Sequence, residues 1–310
     1  MRDARRCVWV VLLLIAATRC GLGASKDDEK TYVVSADTIK AIEEAAPRAP
    51  LVKPVQPRKV LVYGRVPTHP ESVACCFKAM EILGRKSRAF EAVSSGDPIV
   101  FLPENLKQFD AVVMNNTHEK TPMLTRKFAE LSREEQAKAK TREALLKKSL
   151  LDFLAGGKGL VGIHGATAGG VDWPEFVELF GAQYAGHFSG EAWIRPEDSN
   201  HPLTAFLKGE SFSVQDEIYT FRKALTREPY QAEGVRVLLS LDLGRMQDPG
   251  KRPDKRYVMG WIRPYGQGRV FYCALGHMAG VYSNAKVLKH YLAGIQWAVG
   301  DLQADAVPKP

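Results

Sequence analysis

The sequence predicts an α/β protein with a mostly parallel sheet, helices on both of its faces and antiparallel strands added at one edge. Between residues 59 and 163, short apolar segments alternate with helical ones. This alternation is typical of parallel strands joined by helices, which bury both faces of the sheet. After residue 190 most segments have strand patterns separated by turns, and a closing helix follows. The later strands are therefore expected to extend the sheet as an antiparallel edge.

A short helical pattern, DTIKAIEEAA, ends the polar N-terminal segment, and residues 59–165 contain four predicted strands and two predicted helices. The strands are KVLVYG (59–64), SRAFEAV (87–93), FDAVVMNNTH (109–118, breaking at Asn115) and GLVGIHG (159–165). The first helix begins near His69 and is expected to stop at Gly84. Ser132 is expected to cap the second, longer helix, and Gly156 to end it, because these residue types favour helix starts and stops.

The second half contains the strands that are expected to form the antiparallel edge. They are EAWIRPED (191–198), FSVQDEIYTFR (212–222), VRVLLSLDL (235–243), YVMGWIRPYG (257–266) and GRVFYCALGH (268–277). Gly266 and Gly268 lie in a hairpin-type turn, where we expect both to adopt positive φ. The closing helix covers residues 284–300.

The N-terminus has the pattern of an export signal. Arg2, Arg5 and Arg6 precede a short apolar run, and small residues follow up to residue 24. The run is too short to span a bilayer, so residues 1–24 are predicted to be a signal peptide and the protein to be periplasmic or extracellular. Cys20 is a weak candidate for a lipid anchor, because Arg19 stands where a small residue is wanted.

The remaining chain is predicted to consist of a linker, one domain and a tail. Residues 25–58 are polar and Pro-rich and are expected to form a mobile linker. Residues 59–300 are expected to fold as one domain, and residues 301–310 to form a C-terminal tail. Oligomerisation stays open.

Charge distribution and cysteine positions argue against two functions, nucleic-acid binding and catalysis by a cysteine nucleophile. The formal net charge is +8, but the basic residues are scattered without the aromatic-lined stripe of a nucleic-acid site. The pair Cys75 and Cys76 sits on a predicted helix and Cys273 lies within a strand. Neither a disulfide framework nor a cysteine nucleophile is therefore predicted.

Histidines recur where predicted strands end. The chain has seven histidines, and four follow strands: His69, His118, His164 and His277. Because ligands of open parallel sheets bind at the carboxyl ends of the strands, we expect a functional cleft there. Each histidine taken alone is more often structural, but their recurrence at one edge favours a site. Gly162 and Gly165 flank His164, and we expect them to leave room for a ligand.

Further candidates lie in the second half of the chain. His187 lies in a segment interpreted as a glycine-flanked loop, and His201 in a turn interpreted as structural. On a strand, Glu217 and Tyr219 share one face while Asp216 lies on the other. A carboxylate beside histidines could be a general base or a metal ligand, and an exposed edge strand with solvated charges is the equally weighted alternative.

Five segments, in order, resemble the ThuA-like (trehalose-utilisation type) family. They are GKGLVGIHGAT (157–167), FGAQYAGHF (180–188), HPLTAFL (201–207), DEIYTF (216–221) and YGQGRVFYCALGH (265–277). The resemblance implies a flavodoxin-like fold related to class I glutamine amidotransferases. In those enzymes a cysteine occupies the elbow after the central strand, whereas His164 stands there in this chain. The resemblance therefore implies a role in carbohydrate metabolism, including keto-sugars, without glutaminase activity.

The candidate roles are assigned as follows. The predicted catalytic residues are His164, Glu217 and His277; the predicted metal ligands are His164, His187 and Glu217; the predicted substrate-binding residues are Asn116, His118, Trp173 and Tyr219. The cofactor is unknown, and a divalent metal such as zinc is the candidate. The expected partner is a small carbohydrate. The alternatives are a non-catalytic carbohydrate-binding protein and a degenerate amidotransferase-like structural module.

Overall fold

The computed structural model describes residues 32–65, 69–125 and 127–309. The predicted signal peptide and Cys20 lie outside these ranges. The strands within them are β1 (Lys59–Tyr63), β2 (Glu91–Ser95), β3 (Ala111–Asn115), β4 (Gly159–Ile163), β5 (Ala182–Pro196), β6 (Phe212–Lys223), β7 (Arg236–Leu241), β8 (Val258–Tyr265) and β9 (Gly268–Cys273). The helices are α1 (Ala36–Ala45), α2 (Pro70–Ser87), α3 (Pro103–Leu106), α4 (Arg133–Ala155), α5 (Pro174–Phe180) and α6 (Ala285–Ala298).

The described strands form one nine-stranded sheet in the order β2-β1-β3-β4-β9-β8-β7-β5-β6. Strands β2, β1, β3, β4 and β9 are parallel, and the other four add to them in antiparallel fashion. The order β2-β1-β3-β4-β9 is that of a flavodoxin-like sheet, with β9 as the fifth strand. The predicted fold class, a mostly parallel sheet with an antiparallel edge, is confirmed.

Helices cover both faces of the parallel part of the sheet, and the neighbouring residues Phe271 and Tyr272 of β9 illustrate this. Phe271 packs so closely on α6 that a Cβ on Gly294 would lie 2.6 Å from its ring. Tyr272 points to the other face and contacts Phe180 of α5, with ring centroids 5.8 Å apart. Because successive strand residues alternate between faces, both faces require apolar residues, which explains the continuous apolar runs of β1, β3 and β4.

Helix ends and turns follow the sequence signals in most places. Ser132 and Glu135 form a capping box at the start of α4, and Gly156 follows its last residue. Helix α2, however, continues past Gly84 to Ser87, so the expected stop was wrong. A Cβ on Gly84 would lie 2.5 Å from the carbonyl oxygen of Phe90. Gly84 is required because Phe90, which follows the helix, packs closely against this position. The glycine does not end the helix.

The hairpin turn between β8 and β9 uses one positive-φ glycine. Gly266 has φ of 56°, as expected. Gly268 does not have positive φ; a Cβ there would lie 2.2 Å from the carbonyl oxygen of Leu154. Close approach of the end of α4 therefore explains this second glycine.

The segment from residue 36 to residue 58 packs on the domain and does not have the contacts of a mobile linker. Ile42 of α1 is fully buried. The Gln296 side chain accepts a hydrogen bond from the backbone N–H of Leu51 (2.8 Å) and donates one to the carbonyl of Val52 (2.6 Å). Arg58 pairs with Asp301 at 2.6 Å. The prolines indicated an extended backbone, but composition does not reveal the surface on which that backbone lies.

Two further expectations concern membrane spans and cysteines. Within the described ranges, no helix combines the length and the apolar character needed to cross a bilayer.

Cys75, Cys76 and Cys273 are buried free thiols. Burial raises the pKa of Cys75 to about 11 and that of Cys273 to about 12. These thiols stay protonated near neutral pH, which agrees with the expectation that they are not nucleophiles.

Replacing Gln296 by leucine is expected to release the Pro-rich segment. The variant loses the hydrogen bonds to Leu51 and Val52, so trypsin should cleave after Arg48 faster than in the wild type. Gln303→Leu is the matched control, because Gln303 is exposed and bonds only within its own turn, to Gly300. Rapid cleavage after Arg48 in the folded wild type would contradict the docked arrangement.

Candidate active site

The carboxyl ends of β1, β3, β4 and β9 meet at one edge of the sheet, and four histidines gather there. His118 follows β3, His164 follows β4, His277 follows β9, and His69 immediately precedes α2. The ring centroids of His164 and His277 are 5.3 Å apart, and those of His118 and His164 are 6.2 Å apart. His69 lies 5.1 Å from His118 and 4.9 Å from His277. The fold thus gathers all four side chains into one cluster.

The antiparallel pair β5–β6 supplies the other wall of the cluster. In this ladder His187 lies opposite Tyr219, and Ser189 lies opposite Glu217. Residues that pair across an antiparallel ladder share a face, so His187, Glu217 and Tyr219 point the same way. The expectation that His187 lies in a loop was wrong: β5 runs through it, and its glycines accompany an irregular register between Tyr184 and Gly186.

His164 is held in a strained and fully oriented position. Its φ is 44°, a left-handed conformation that is uncommon for non-glycine residues, and it begins a tight 3-10 turn after β4. Its Nδ1 lies 2.7 Å from the carbonyl oxygen of Ala274, and Tyr272 donates a hydrogen bond to the His164 carbonyl at 2.7 Å. Because a carbonyl only accepts, Nδ1 carries a hydrogen, and Nε2 is the ring atom that faces Glu217.

Glu217 is the centre of the cluster. Its Oε2 lies 3.4 Å from Nε2 of His164 and 3.4 Å from Nδ1 of His277, and its Oε1 lies 3.5 Å from Nε2 of His187. Interaction with the His164 side chain, opposed by partial burial and assisted by His277 and His187, lowers the pKa of Glu217 to about 2. The carboxylate is therefore ionised at neutral pH, which favours metal binding over general-base catalysis.

The geometry of His164, Glu217 and His277 fits a divalent cation. One donor atom from each of the three lies within 4.8 Å of the other two. The buried Nε2 of His164 and Nδ1 of His277 make no regular hydrogen bond to any described residue. A tetrahedral ion about 2.1 Å from its donors separates them by about 3.4 Å. Two of the three donor separations, the His–Glu contacts, have that length, and two histidines with one carboxylate would make a ligand set of the kind that holds zinc in proteins.

His187 does not join this ligand group, although the sequence predicted it as a ligand. It contacts the other carboxylate oxygen of Glu217, and its Nδ1 lies 2.7 Å from the hydroxyl of Tyr184. Its side chain is 39% exposed, whereas that of His164 is fully buried. The structure groups His277 with His164 and Glu217 in its place. His187 instead lies at the open side of the cluster, where a solvent-exposed imidazole can exchange protons.

His118 and Tyr219 form a hydrogen-bonded pair next to His164. Nε2 of His118 lies 3.1 Å from the Tyr219 hydroxyl, and the Tyr219 ring centroid lies 3.9 Å from that of His164. Burial, together with the neighbouring histidines, lowers the pKa of His118 to about 3. Burial raises the pKa of Tyr219. Both side chains are therefore neutral near pH 7, with an imidazole and a phenol that can donate or accept hydrogen bonds.

The other predicted substrate-binding residues lie in structural positions. Asn116 is fully buried and its amide donates to the carbonyl of Gly276 and contacts the Tyr282 hydroxyl, both at 3.2 Å. Trp173 is 3% exposed and stacks on Phe176. Asn116 therefore joins the loops after β3 and β9, and Trp173 packs in the core, where a sugar cannot stack on it.

The space beside Gly162 and Gly165 is occupied by side chains of the protein itself. A Cβ on Gly162 would lie 2.4 Å from the Phe180 ring, and one on Gly165 would lie 2.4 Å from the His118 ring. The expectation that they leave room for a ligand was therefore wrong. Gly165 instead allows His118 to pack against the turn that carries His164.

His201 lies outside the cluster, in the structural position expected for it. Its Nε2 donates to the carbonyl of Asp305 at 2.9 Å, and its Nδ1 accepts from the backbone N–H of Leu203 at 3.3 Å. The sequence reasoning missed Tyr184, which orients His187, because the irregular register of β5 conceals which face its residues occupy. It also assigned no role to Asp216, which contacts the loop of His277.

The fold and this cluster define a flavodoxin-like α/β protein with a group of histidines at the carboxyl edge of its sheet. A sequence model of the ThuA family, described as trehalose utilisation, matches residues 59–298. The chain belongs to the ThuA family. This agrees with the resemblance drawn from the five sequence segments.

Solved structures agree on the fold. A ThuA-like protein from Bacteroides uniformis is 20% identical with a TM-score of 0.57, covering 81% of this chain and 93% of that one. A ThuA-like protein from Parabacteroides merdae is 17% identical with a TM-score of 0.55, covering 83% and 94%. No curated protein matches the chain. At these identities the structural likeness establishes the fold alone.

Replacing Gly165 by alanine is expected to disturb the cluster. The new Cβ would meet the His118 ring, and such overpacking typically lowers the free energy of unfolding by about 1–3 kcal/mol. Gly280→Ala is the matched control, because nothing lies within 4 Å of its Cβ position. Chemical denaturation should give a clear loss for Gly165→Ala and a much smaller change for Gly280→Ala. Equal stability of the two variants would contradict the packing described here.

Proposed function

We propose that this ThuA-family protein is a metal-dependent enzyme of carbohydrate metabolism that acts on a keto-sugar or keto-glycoside. The observation that carries the proposal is the convergence of His164, Glu217 and His277. Two imidazole nitrogens and a carboxylate approach one another without regular hydrogen bonds between them. A cation between them would satisfy all three groups. The family description, trehalose utilisation, supports a carbohydrate as the substrate class.

If these residues held a divalent ion, it would supply a Lewis acid able to polarise a carbonyl or to lower the pKa of a water molecule. His164 contributes Nε2, because its Nδ1–H is fixed to the carbonyl of Ala274. Glu217 supplies the negative charge that makes cation binding favourable. His277 contributes Nδ1, which is turned toward the same carboxylate oxygen.

Three further side chains are placed to hold or move protons beside the ligand group. The exposed imidazole of His187 can take up or release a proton at its Nε2, while its Nδ1 stays with the Tyr184 hydroxyl. Tyr219 keeps its phenolic hydrogen near neutral pH, because burial raises its pKa. His118 shares a hydrogen bond with that phenol. Enolisation or hydrolysis of a keto-sugar needs proton transfers of this kind.

Metal analysis of the purified protein, with titration calorimetry of the metal-free form, tests the centre. The wild type is expected to bind zinc with one ion per chain. His164→Asn should weaken binding by more than about 100-fold, beyond the 10- to 100-fold typical of outer-shell changes. Asparagine tolerates the positive φ at this position, so the variant should remain folded.

His201→Asn is the matched control for that titration, because it also changes a buried histidine but lies outside the cluster. It should bind zinc as the wild type does. Zinc binding that persists unchanged in folded His164→Asn would place the metal elsewhere and contradict the proposal.

A screen of glycosides and their 3-keto forms tests the activity. Saturable, metal-dependent turnover of a keto-form is expected, and it should be lost in Glu217→Gln. Binding of the sugar without turnover would favour the non-catalytic carbohydrate-binding alternative. Absence of both would favour a structural module of the amidotransferase-like type.

We propose further that the protein acts outside the cytoplasm, on the basis of the predicted signal peptide. Expression of the full chain should give an exported product that lacks residues 1–24, as measured by fractionation and N-terminal sequencing. Replacing Arg2, Arg5 and Arg6 by glutamate should retain the precursor in the cytoplasm. A cytoplasmic, unprocessed wild-type product would contradict export.

A further inference from the structure

Asp216 is a fully buried carboxylate for which the proposed chemistry has no use. It precedes Glu217 on β6, and its side chain points to the opposite face of the strand. A buried carboxylate is costly unless hydrogen-bond donors surround it. The identity of those donors therefore indicates what Asp216 does.

The donors are three consecutive backbone N–H groups of the loop after β9. Oδ2 accepts from Gly276 at 2.7 Å, and Oδ1 accepts from His277 at 3.0 Å and from Met278 at 2.8 Å. Burial raises the pKa of Asp216, while the neighbouring His164 and these backbone bonds oppose that shift. Hydrogen bonds from successive backbone N–H groups to a carboxylate are charge-assisted and geometrically specific.

The middle donor belongs to His277, a member of the cation-binding group. The carbonyl of His277 accepts a hydrogen bond from the Ser72 hydroxyl at 2.5 Å. Gly276 has φ of 139°, a conformation that residues with a side chain rarely adopt. Glycine at this position therefore allows the loop to turn toward Asp216. Both peptide groups that flank the His277 side chain are therefore held in place.

From this geometry we infer that Asp216 is a positioning residue that sets His277 for cation binding. The inference rests on the proposed metal centre. Adjacent residues of β6 thus have separate tasks: Glu217 would bind the cation from one side of the strand, and Asp216 holds the loop of His277 from the other. The distance between Oε2 of Glu217 and Nδ1 of His277 therefore depends on Asp216 as well as on Glu217.

The variant Asp216→Asn tests the inference, because it preserves size and removes the charge. Zinc affinity, measured by competition with a chelator, is expected to fall about 10- to 100-fold, as for other groups that orient ligands. The absorption spectrum of the cobalt-substituted protein should lose the intensity of a tetrahedral site. In the metal-free variant, amide hydrogen exchange at Gly276, His277 and Met278 should accelerate roughly tenfold or more.

A double-mutant cycle with His277→Asn separates positioning from general destabilisation. If Asp216 acts through His277, adding Asp216→Asn to His277→Asn should cause no further loss of zinc affinity. Asp301→Asn is the matched control, since Asp301 is also a buried aspartate, but it holds Arg58 and the N-terminal segment. It should lower stability and leave both the cobalt spectrum and the zinc affinity unchanged.

Each outcome decides one claim. Wild-type zinc affinity in Asp216→Asn, or an equal further loss in the His277→Asn background, would overturn the inference. Absence of zinc binding in the wild type would instead overturn the proposed centre, and amide exchange would still report whether Asp216 holds the loop. Asp216→Glu keeps the charge and shifts the acceptor oxygens by one methylene. If Asp216→Asn does not fold, Asp216→Glu replaces it in the test. The cobalt spectrum of Asp216→Glu is expected to lose the intensity of a tetrahedral site in the same way.

Discussion

Strands β4 and β9 lie side by side in parallel, with Ile163 opposite Cys273, and this register fixes where the site can form. The residues that follow these strands, His164 after Ile163 and Ala274 after Cys273, make the contact between them. Ala274 offers its carbonyl to Nδ1 of His164, and Tyr272 reaches across to the His164 carbonyl. A slip of one residue would turn these side chains to the other face of the sheet. The strained φ of His164 persists because the neighbouring strand holds both its ring and its backbone.

The electrostatics of the cluster follow from placing one carboxylate among several imidazoles. Burial lowers the pKa of His118 and of His277, and repulsion from the neighbouring histidines lowers each pKa further. The pKa of Glu217 is lowered too, and for a carboxyl group a lower pKa favours the ionised form. The result is a carboxylate that faces two imidazole nitrogens, an arrangement that a cation would stabilise.

The antiparallel edge of the sheet is as important to the site as the flavodoxin-like part. Strand β6 is the last strand of the sheet in space, yet it provides Glu217 and Tyr219, and β5 provides His187. The parallel strands present histidines, and the β5–β6 pair supplies the acid that faces them. Asp216 links the two parts, because it accepts hydrogen bonds from the loop that follows β9. The N-terminal segment adds a further layer, since α1 packs on α2 and on the turn that follows Met278.

The sequence by itself determined the fold class, the capping of α4 and the gathering of His118, His164 and His277 at one edge. These features depend on periodicity, on local capping chemistry and on the rule that parallel strands end on the same side. Only the tertiary structure decided the roles of Gly84, Gly165 and Gly268. Each is explained by the close approach of a residue that no local pattern identifies. It also brought donor atoms of His277, and not of His187, within 4.8 Å of both His164 and Glu217, buried Trp173, and packed residues 36–58 on the domain. These outcomes depend on distances between segments far apart in the chain, and such distances are set by packing, which hydrophobic patterning does not encode.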